Sequence, residues 1–537
     1  MNDKISVLYI SHDSGITGAP LSLIDSLEPL REYIRPVVIM PKDGVLTERL
    51  NKLNINYYVV PFSLTSLLKE CNSICENKRL LKSNLAAVEK IKQIIQDEKI
   101  DLIHSNSSVI DVGAFAAIKT NLPHVWHIRE FVEEDMGHEY CCPKKLKKIL
   151  FDRSSNIAIS NAIVNSFNKK WNGNITRIYN GISLKRYNYN NFRKKGLNII
   201  VVGTIADRKG QLDVVNAVRE LIQEGLNPKL YIVGNKQSVY AELLQLYVNH
   251  SYLNNNVFFV GELVDISKYL KNASIAVMSS KNEALGRVTI EYMKAGIPVI
   301  GAKSGGTIEL IGEKEERGYF YTSGDSQSLS KSIKRLLLDE RVDNKIAAAK
   351  KFVDKEFDTS RYARVLYKYY QTTMENYRLD KERDEAIFKK ILDYIDITNE
   401  NETIIYKDND LIHKYRELMK LSFQLLKAKT FGFSLKEYLE RNGFYDIAIY
   451  GFSDVGMYIF SECIVNEIKV KFVIDKRNEV ACVEKMFGIK HIKIDDELPK
   501  VDAIIITAYG AEDIAHMLSK KTTAKLIDIF TVIKEVI

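Results

Sequence analysis

Long apolar runs are absent from this sequence, and their absence limits the class of protein that it can encode. No stretch approaches the about 18 consecutive apolar residues that a helix needs to cross a bilayer, which argues against an integral membrane protein. The chain passes at Ile5 into an apparent buried strand, without the basic region, apolar core and cleavage site of a signal peptide. We therefore expect a cytoplasmic protein.

Cysteine is scarce, and metal-binding motifs are missing. The 537 residues include six cysteines, which are too few and too scattered for a disulfide framework and form no CxxC with a matching second pair. The nine histidines form no HExxH motif, and the carboxylates form no convincing metal cluster. The sequence predicts free thiols and no metal site.

Short apolar runs alternate with amphipathic segments along most of the chain. A first series lies at 7–10, 37–40, 102–104, 124–127 and 157–160, and a second at 197–203, 230–234, 257–261, 275–278 and 298–301. This alternation predicts parallel, doubly wound sheets. We predict two α/β domains, over residues 1–190 and 191–351, with a ligand cleft between them at the carboxyl ends of the strands.

The remaining chain predicts a helical linker and a third α/β unit. Residues 376–442 lack proline, are dense in charge, and carry apolar side chains at helical spacing, namely Leu411, Tyr415, Leu418, Leu421 and Leu425. Apolar runs return at 446–451, 470–474 and 503–507, which predict a small Rossmann-like domain over 443–537. Its segment 451–456 (GFSDVG) is similar to a dinucleotide-binding fingerprint, with Ser453 in place of the middle glycine and Asp475 where a ribose-binding acid belongs.

The segment 283–291 (EALGRVTIE) carries the most information about chemistry. Glu283 and Glu291 are eight residues apart, and Gly286 lies between them where a helix is predicted to begin. Backbone N–H groups at a helix N-terminus attract a diphosphate, because the unsatisfied donors and the helix dipole both favour negative charge. The two carboxylates can accept hydrogen bonds from hydroxyls, so the pattern suits a nucleotide sugar.

This spacing of two glutamates, with the segments 295–300 (AGIPVI) and 305–309 (GGTIE) that follow, resembles glycosyltransferase family 4. The resemblance covers about residues 1–375. It implies the GT-B fold of two Rossmann-like domains facing a cleft, with the acceptor side in the first domain, the donor side in the second, and closing helices at 352–375 that cross back. It also implies retaining, metal-independent transfer from a nucleoside-diphosphate sugar, without a further cofactor. We expect a UDP-linked donor, although the sequence alone leaves the base and the sugar open.

The resemblance also implies the roles of individual residues. Lys209 matches the phosphate-binding lysine, Glu283 would contact the donor sugar near the reacting centre, and His127 would lie beside the reacting bond. We predict these three as catalytic. The predicted donor-binding residues are Gly18, Arg208, Lys209, Leu285, Gly286, Arg287 and Glu291, and weaker candidates for lining the cleft are His12, His104, Asn106 and Glu130.

Two positions depart from the family pattern. Thr204 stands where many members carry an arginine directly after the strand's glycine, so that phosphate contact is absent or comes from Arg208. Ala284 replaces the usual glycine after the first glutamate, which changes the sugar pocket slightly.

Net charge leaves the partners open. The formal charge of +8 fits nucleotides, lipid phosphates or an anionic membrane surface. The segment 143–153 (PKKLKKILFDR) has five basic residues and one acidic residue, and is either a helix that docks on anionic lipid at the inner face of the plasma membrane or one that packs on the sheet with a solvated lysine face. We expect no nucleic-acid partner, and homo-oligomerisation stays open.

Three functions compete at this stage. The first is transfer of a hexose-type sugar to a glycan or lipid-linked acceptor in bacterial surface polysaccharide, such as capsule. The second is a bifunctional enzyme whose C-terminal domain modifies sugar nucleotides; the missing glycine at Ser453 counts against it. The third is a non-catalytic partner of another glycosyltransferase, against which Lys209, Glu283 and Glu291 all argue.

Overall fold

The computed structural model describes residues 4–15, 18–69, 72–184, 187, 196–263, 265–396 and 433–536. The chain forms two compact units. The first comprises Met1–Val202, Asn216–Tyr231 and Leu263–Glu402, and the second comprises Gly203–Val215, Ile232–Glu262 and Thr403–Ile537. Among the residues described, no helix combines the length and the hydropathy that crossing a membrane requires.

The first unit opens with a seven-stranded parallel sheet of order β3-β2-β1-β5-β6-β8-β9. Its strands are β1 (Ile5–Ile10), β2 (Ile34–Met40), β3 (Asn56–Val59), β5 (Leu102–Ser105), β6 (His124–Ile128), β8 (Ser155–Ala158) and β9 (Ile175–Arg177), and β4 (Ser66–Leu68) and β7 (His138–Tyr140) form a separate antiparallel pair. The strand order reverses between β1 and β5, and such switch points are where open α/β sheets bind ligands.

Six helices belong to this sheet. They are α1 (Gly18–Leu30), α2 (Val45–Lys52), α3 (Ile74–Asp97), α4 (Val112–Thr120), α5 (Lys144–Arg153) and α6 (Asn161–Trp171). The predicted basic segment is α5, and its Leu146, Leu150 and Phe151 are buried. Its apolar side therefore packs inside the protein, as the second of the two interpretations of this segment supposed. The lysine face that this interpretation described as solvated is only partly so, because Lys147 is fully buried.

Five neighbouring strands of a second, six-stranded sheet belong wholly or largely to the first unit, in the order β11-β10-β13-β14-β15. These strands are β10 (Leu197–Val202), β11 (Pro228–Val233), β13 (Ile275–Met278), β14 (Val299–Ala302) and β15 (Tyr319–Tyr321). The helices in this part of the chain are α7 (Gln211–Gln223), α9 (Ser267–Asn272), α10 (Arg287–Lys294), α11 (Gly305–Ile311), α12 (Ser326–Leu338), α13 (Val342–Glu356), α14 (Thr359–Asn376) and α15 (Lys381–Asp396). The prediction of two parallel, Rossmann-like sheets is confirmed.

Helix α14 packs against the first sheet. Tyr362, Leu366 and Tyr370 are buried in the same core as Val7 and Leu102. The Tyr370 hydroxyl also bonds to the Tyr9 hydroxyl over 2.8 Å. Helix α14, which follows the second series of strands in the chain, is thus packed on the seven-stranded sheet formed by the first series.

The second unit contains β12 (Val257–Gly261), α8 (Val239–His250) and a five-stranded parallel sheet of order β18-β17-β16-β19-β20. The sheet strands are β16 (Ile447–Tyr450), β17 (Val470–Ile474), β18 (Lys490–Ile492), β19 (Ala503–Ile506) and β20 (Lys525–Asp528), with helices α16 (Leu435–Arg441), α17 (Asp454–Val465), α18 (Cys482–Phe487), α19 (Ala511–Ser519) and α20 (Ile529–Val536). The apolar positions of the predicted linker, Leu411 to Leu425, lie outside the described residues.

Candidate functional site

A cavity of about 350 Å³ in the first unit lies where several loops leave the carboxyl ends of parallel strands. The loops after β1, β5, β6 and β8 contribute to it, and so does the start of α10. The lining residues are His12, Gly18, Ala19, Ser22, Leu64, Ser107, Val109, Arg129, Glu130, Met136, Ile159, Asn180, Glu283, Ala284, Leu285, Gly286 and Arg287.

The cavity brings together five of the predicted site residues. Gly18, Glu283, Leu285, Gly286 and Arg287 all line it. The weaker candidates His12 and Glu130 line it as well, whereas His127, His104, Asn106 and Glu291 are buried and do not. Arg208 and Lys209 belong to the second unit.

The loop that carries Glu283 is held by two glycines of the GGTIE segment. The Gly306 N–H donates to the Glu283 carbonyl over 2.7 Å. A Cβ at Gly306 would lie 2.5 Å from the Ala284 carbonyl oxygen, and one at Gly305 would lie 2.3 Å from the Glu283 carbonyl oxygen. Only glycine allows this close approach of two backbones, which orients the residues before α10.

Gly286 forms the turn into α10. Its φ of 90° and ψ of 66° lie in a region that side chains rarely adopt, and it is the N-cap of the helix. The first N–H groups of α10 have no partner within the helix, so this end favours an anion. The Ser160 hydroxyl donates to the Ala284 carbonyl over 2.5 Å and fixes the loop from the side of the first sheet.

Arg287 makes ionic contacts that sequence reasoning missed. Its Nη2 lies 2.5 Å from Asp25 Oδ2 of α1, its Nε lies 3.2 Å from Glu291 Oε1, and its Nη1 donates to Ser22 Oγ over 3.3 Å. Burial alone lowers the pKa of Arg287, but Asp25 and Glu291 together raise it above its ordinary value. No local signal in the sequence marks Asp25, because its partner is far away in the chain.

Arg129 is a buried cation in the wall of the cavity. Its guanidinium donates to Asn106 Oδ1 over 2.9 Å and to Asn180 Oδ1 over 2.6 Å. Within the described residues no carboxylate forms a salt bridge with Arg129, and burial lowers its pKa. The nearby charge of Glu130 acts in the opposite direction on this pKa, so the guanidinium is partly compensated. An anion in the cavity would still be attracted to it.

His127 is fully buried at the end of β6 and lies behind the cavity wall. Arg129 Nη2 donates to its Nδ1 over 3.1 Å, which places the ring proton on Nε2. Burial, then the charges of Arg129 and His104, hold the pKa of His127 well below its usual range. Its Nε2 is buried and has no hydrogen-bond partner among the described residues. His127 is therefore neutral, and its predicted catalytic role stays a prediction.

Glu130 has a fixed orientation in the cavity. Its Oε1 accepts from Ser107 Oγ, Ser108 N and Ser108 Oγ over 2.9, 2.7 and 2.6 Å. Lys147 donates to the Ser108 carbonyl over 3.0 Å, so this lysine of α5 holds the loop from behind. His12 shares the cavity, and its pKa is lowered by burial although Glu130 and Asp13 act in the opposite direction.

Lys147 is fully buried and paired. Its Nζ lies 2.5 Å from Asp111 Oδ1, and both side chains are 0% exposed. The ammonium also lies 4.2 Å from the ring centroid of Trp126 and 4.3 Å from that of Tyr140. The sequence shows Lys147 only as one of several lysines on a basic helix.

In the second unit, Asp207–Lys209 form a short 3₁₀ turn. Gly210 ends it with a φ of 66°, and the buried Gln211 side chain donates to the Thr204 carbonyl over 2.9 Å. Arg208 and Lys209 are half-buried on this turn. The structure thus shows a constrained loop with two cations after β10, as a phosphate-binding turn needs.

The turn 451–456 (GFSDVG), which follows β16 in the C-terminal sheet, makes its hydrogen bonds to other groups of the protein. Asp475 Oδ2 accepts from the Phe452 N–H over 2.7 Å, and its Oδ1 accepts from Arg477 Nε over 3.0 Å. A Cβ at Gly456 would lie 2.0 Å from the Gly451 carbonyl oxygen. Both oxygens of Asp475 therefore stabilise the turn, where the sequence suggested a ribose contact.

No group of three or more residues suited to hold a metal ion occurs among the described residues. Two family models match adjoining segments: glycosyltransferase family 4 over residues 47–186 and glycosyl transferases group 1 over residues 187–352, together more than half of the chain.

Individual relatives agree with these models. The capsular polysaccharide biosynthesis glycosyltransferase CapM of Staphylococcus aureus is 25% identical over 55% of this chain and 83% of its own length. The N-acetyl-alpha-D-glucosaminyl L-malate synthase of Bacillus anthracis is 24% identical over 48% of this chain and 71% of its own length. HepE of Anabaena, solved in complex with UDP, is similar in fold with a TM-score of 0.57 at 22% identity, over 68% of this chain and 100% of that one. The chain belongs to the family 4 glycosyltransferases, which have the GT-B fold.

Proposed function

We propose that this protein transfers a hexose-type sugar from UDP to a hydroxyl of a glycan or lipid-linked acceptor in bacterial surface polysaccharide, with retention of configuration and without a metal ion. The observation that carries the proposal is the turn at Gly286, which joins Glu283 to the N-terminus of α10 at one wall of the cavity. HepE was solved with UDP and with UDP-glucose, and CapM is a capsule enzyme by its name.

The reaction breaks the bond between the anomeric carbon and a phosphate oxygen. The departing diphosphate gains negative charge, which Lys209 and Arg208 are suited to stabilise as fixed cations. The N–H groups at the start of α10 would add partial positive charge. In this proposal, fixed donors of this kind would take the place of a metal ion.

The acceptor hydroxyl would enter on the side of Glu130. Since the three donors to Oε1 hold this carboxylate still, it is placed to accept a hydrogen bond from the hydroxyl. The hydroxyl oxygen bonds to the anomeric carbon on the face that the phosphate leaves, and the phosphate oxygen takes the hydroxyl proton. Glu283 would contact the sugar. His127 is buried behind the cavity wall, so in this structure it would act on the sugar only through Arg129, which donates to its Nδ1.

The test compares Glu283→Gln and Lys209→Ala with the parent in UDP-sugar turnover. We expect each to lower turnover about 100-fold, because each removes a contact to the reacting sugar or its leaving group. Glu313→Gln is the matched control, since Glu313 is exposed and outside the cavity. Folded Glu283→Gln protein with the parent rate would contradict the site. A parent protein that binds UDP but never turns over, with any acceptor, would favour the non-catalytic partner.

A further inference from the structure

The second unit joins the C-terminal sheet to a helix that starts beside the Asp207–Lys209 turn. Helix α8 packs against α17 and α18 of the C-terminal sheet. Because α8 lies between β11 and β12 in sequence, this contact links two parts of the chain more than 200 residues apart. The proposed reaction involves no residue of the C-terminal sheet.

A continuous row of aromatic rings forms this link. Phe487, at the end of α18, lies 5.8 Å from Tyr247 and 6.2 Å from His250, measured between ring centroids. Phe487 also lies 5.4 Å from Phe460, which in turn lies 5.1 Å from Phe452 in the turn 451–456. We call these five rings the aromatic bridge. Phe452 and Phe460 are fully buried, so this end of the bridge is rigidly packed.

The opposite end of α8 contacts the loop after β10. Ser238 caps the helix by accepting from the Ala241 N–H over 3.1 Å, and its hydroxyl donates to the Ile205 carbonyl over 3.1 Å. The Ile205 N–H donates to the Asn235 carbonyl over 3.2 Å. Ile205 is two residues before the turn, so the position of α8 sets where the turn begins.

The turn itself also faces the C-terminal sheet. Buried Tyr240 of α8 and buried Cys482 of α18 both lie within the electrostatic reach of Asp207. The pKa of Cys482 is raised to about 12, first by burial and then by Asp207. Asp207 immediately precedes Arg208 and Lys209.

We propose that the C-terminal sheet is a support for the donor's phosphate-binding turn, and that Phe487 is a positioning residue that acts through α8. The inference rests on the proposed function, since it assigns Arg208 and Lys209 to the diphosphate. The aromatic bridge holds α8, and α8 holds Ile205 and the turn. The C-terminal sheet thereby contributes to donor affinity without contacting the donor.

The test uses the full chain with Phe487→Ala, Phe487→Leu and His250→Ala, and Tyr445→Ala as the matched control. Tyr445 is a 66% exposed aromatic residue of the same C-terminal segment and lies outside the aromatic bridge. UDP titration calorimetry, donor KM and kcat, and hydrogen exchange of residues 204–212 are measured for each. We expect Phe487→Ala to weaken UDP binding and raise KM about fivefold with kcat nearly unchanged, and to speed exchange at 204–212.

Phe487→Leu should restore most of the affinity because it refills the same space, and His250→Ala should weaken it from the other side of the contact. If Phe487→Ala unfolds the protein, His250→Ala decides, since His250 is exposed on α8. Exchange and UDP affinity equal to those of Tyr445→Ala would overturn the proposal. A parent chain that binds no UDP would instead overturn the proposed function, while the exchange rates would still decide whether the C-terminal sheet holds the turn.

Discussion

The guanidinium of Arg287 lies 2.5 Å from the carboxylate of Asp25, and this ion pair joins the start of α10 to α1. The two side chains are 12% and 13% exposed, so water screens the pair weakly. Glu291 shares the same guanidinium at 3.2 Å. The turn before α10 is therefore fixed both by backbone contacts and by charge.

Replacing Asp25 tests this relationship. Asp25→Asn leaves Arg287 with one carboxylate instead of two, and we expect a loss of about 2 kcal/mol in the free energy of unfolding together with weaker UDP binding. Urea denaturation and calorimetry measure the two effects. Glu28→Gln on the same helix is the control, because Glu28 is exposed. Equal stability of the two variants would show that Asp25 contributes nothing.

The buried Lys147–Asp111 pair predicts a larger effect. Lys147→Met removes the charge that balances Asp111, and an uncompensated buried carboxylate costs about 3–5 kcal/mol. Lys145→Met, exposed on the same helix, should have little effect. The double variant Lys147→Met/Asp111→Asn should recover part of the loss. Denaturation midpoints of all three check this, and a tolerated Lys147→Met would contradict the structural role.

The buried histidines predict a pH-dependent stability. Burial lowers the pKa values of His104, His124 and His127 well below the usual range. The unfolded chain binds protons near pH 6.5 and the folded chain does not, so the contribution is fully present above that pH and is lost as the pH falls toward the folded pKa values. Each histidine contributes a slope of about 1.4 kcal/mol per pH unit below pH 6.

Unfolding free energies measured between pH 7 and pH 5 give this slope directly. His104→Gln should reduce it by the share of one histidine. An unchanged slope would mean that His104 is protonated in the folded protein.

The position of Gly306 gives a steric prediction for the loop that carries Glu283. A Cβ at Gly306 would meet the Ala284 carbonyl oxygen at 2.5 Å and the Leu285 Cα at 2.6 Å, and both are backbone atoms that cannot rotate away. We expect Gly306→Ala to displace residues 283–285 and weaken UDP binding about tenfold or more, at a cost in stability of about 1–3 kcal/mol. Calorimetry and thermal unfolding measure the pair of effects, and unchanged UDP affinity would exclude this loop from the donor site.

The sheets could be predicted because strands of a buried parallel sheet are near-continuous apolar runs. The run 124–127 lies in β6, and 275–278 is β13. The run 157–160 extends past its strand, since β8 ends at Ala158 and Ser160 instead caps α6 by accepting from the Ile163 N–H. Apolar character alone does not distinguish a strand end from a helix cap.

The candidate site could be predicted only where its signal is local. Gly286 marks the start of α10 by its backbone conformation, and the GGTIE segment carries the glycines that the loop needs. The contacts of Asp25, Asn180 and Lys147 were missed because their partners are distant in sequence and nothing beside these residues marks a contact. Pairings of this kind appear only when the chain is folded.

Donor turnover by the purified chain tests the central claim most directly. UDP-, GDP-, ADP- and dTDP-sugars are incubated with the protein, with and without EDTA, and release of the free nucleotide is followed. The account predicts slow turnover of a UDP-sugar that EDTA does not change and that an acceptor glycan accelerates. Turnover that disappears with EDTA, or no turnover of any donor with or without acceptor, would contradict it.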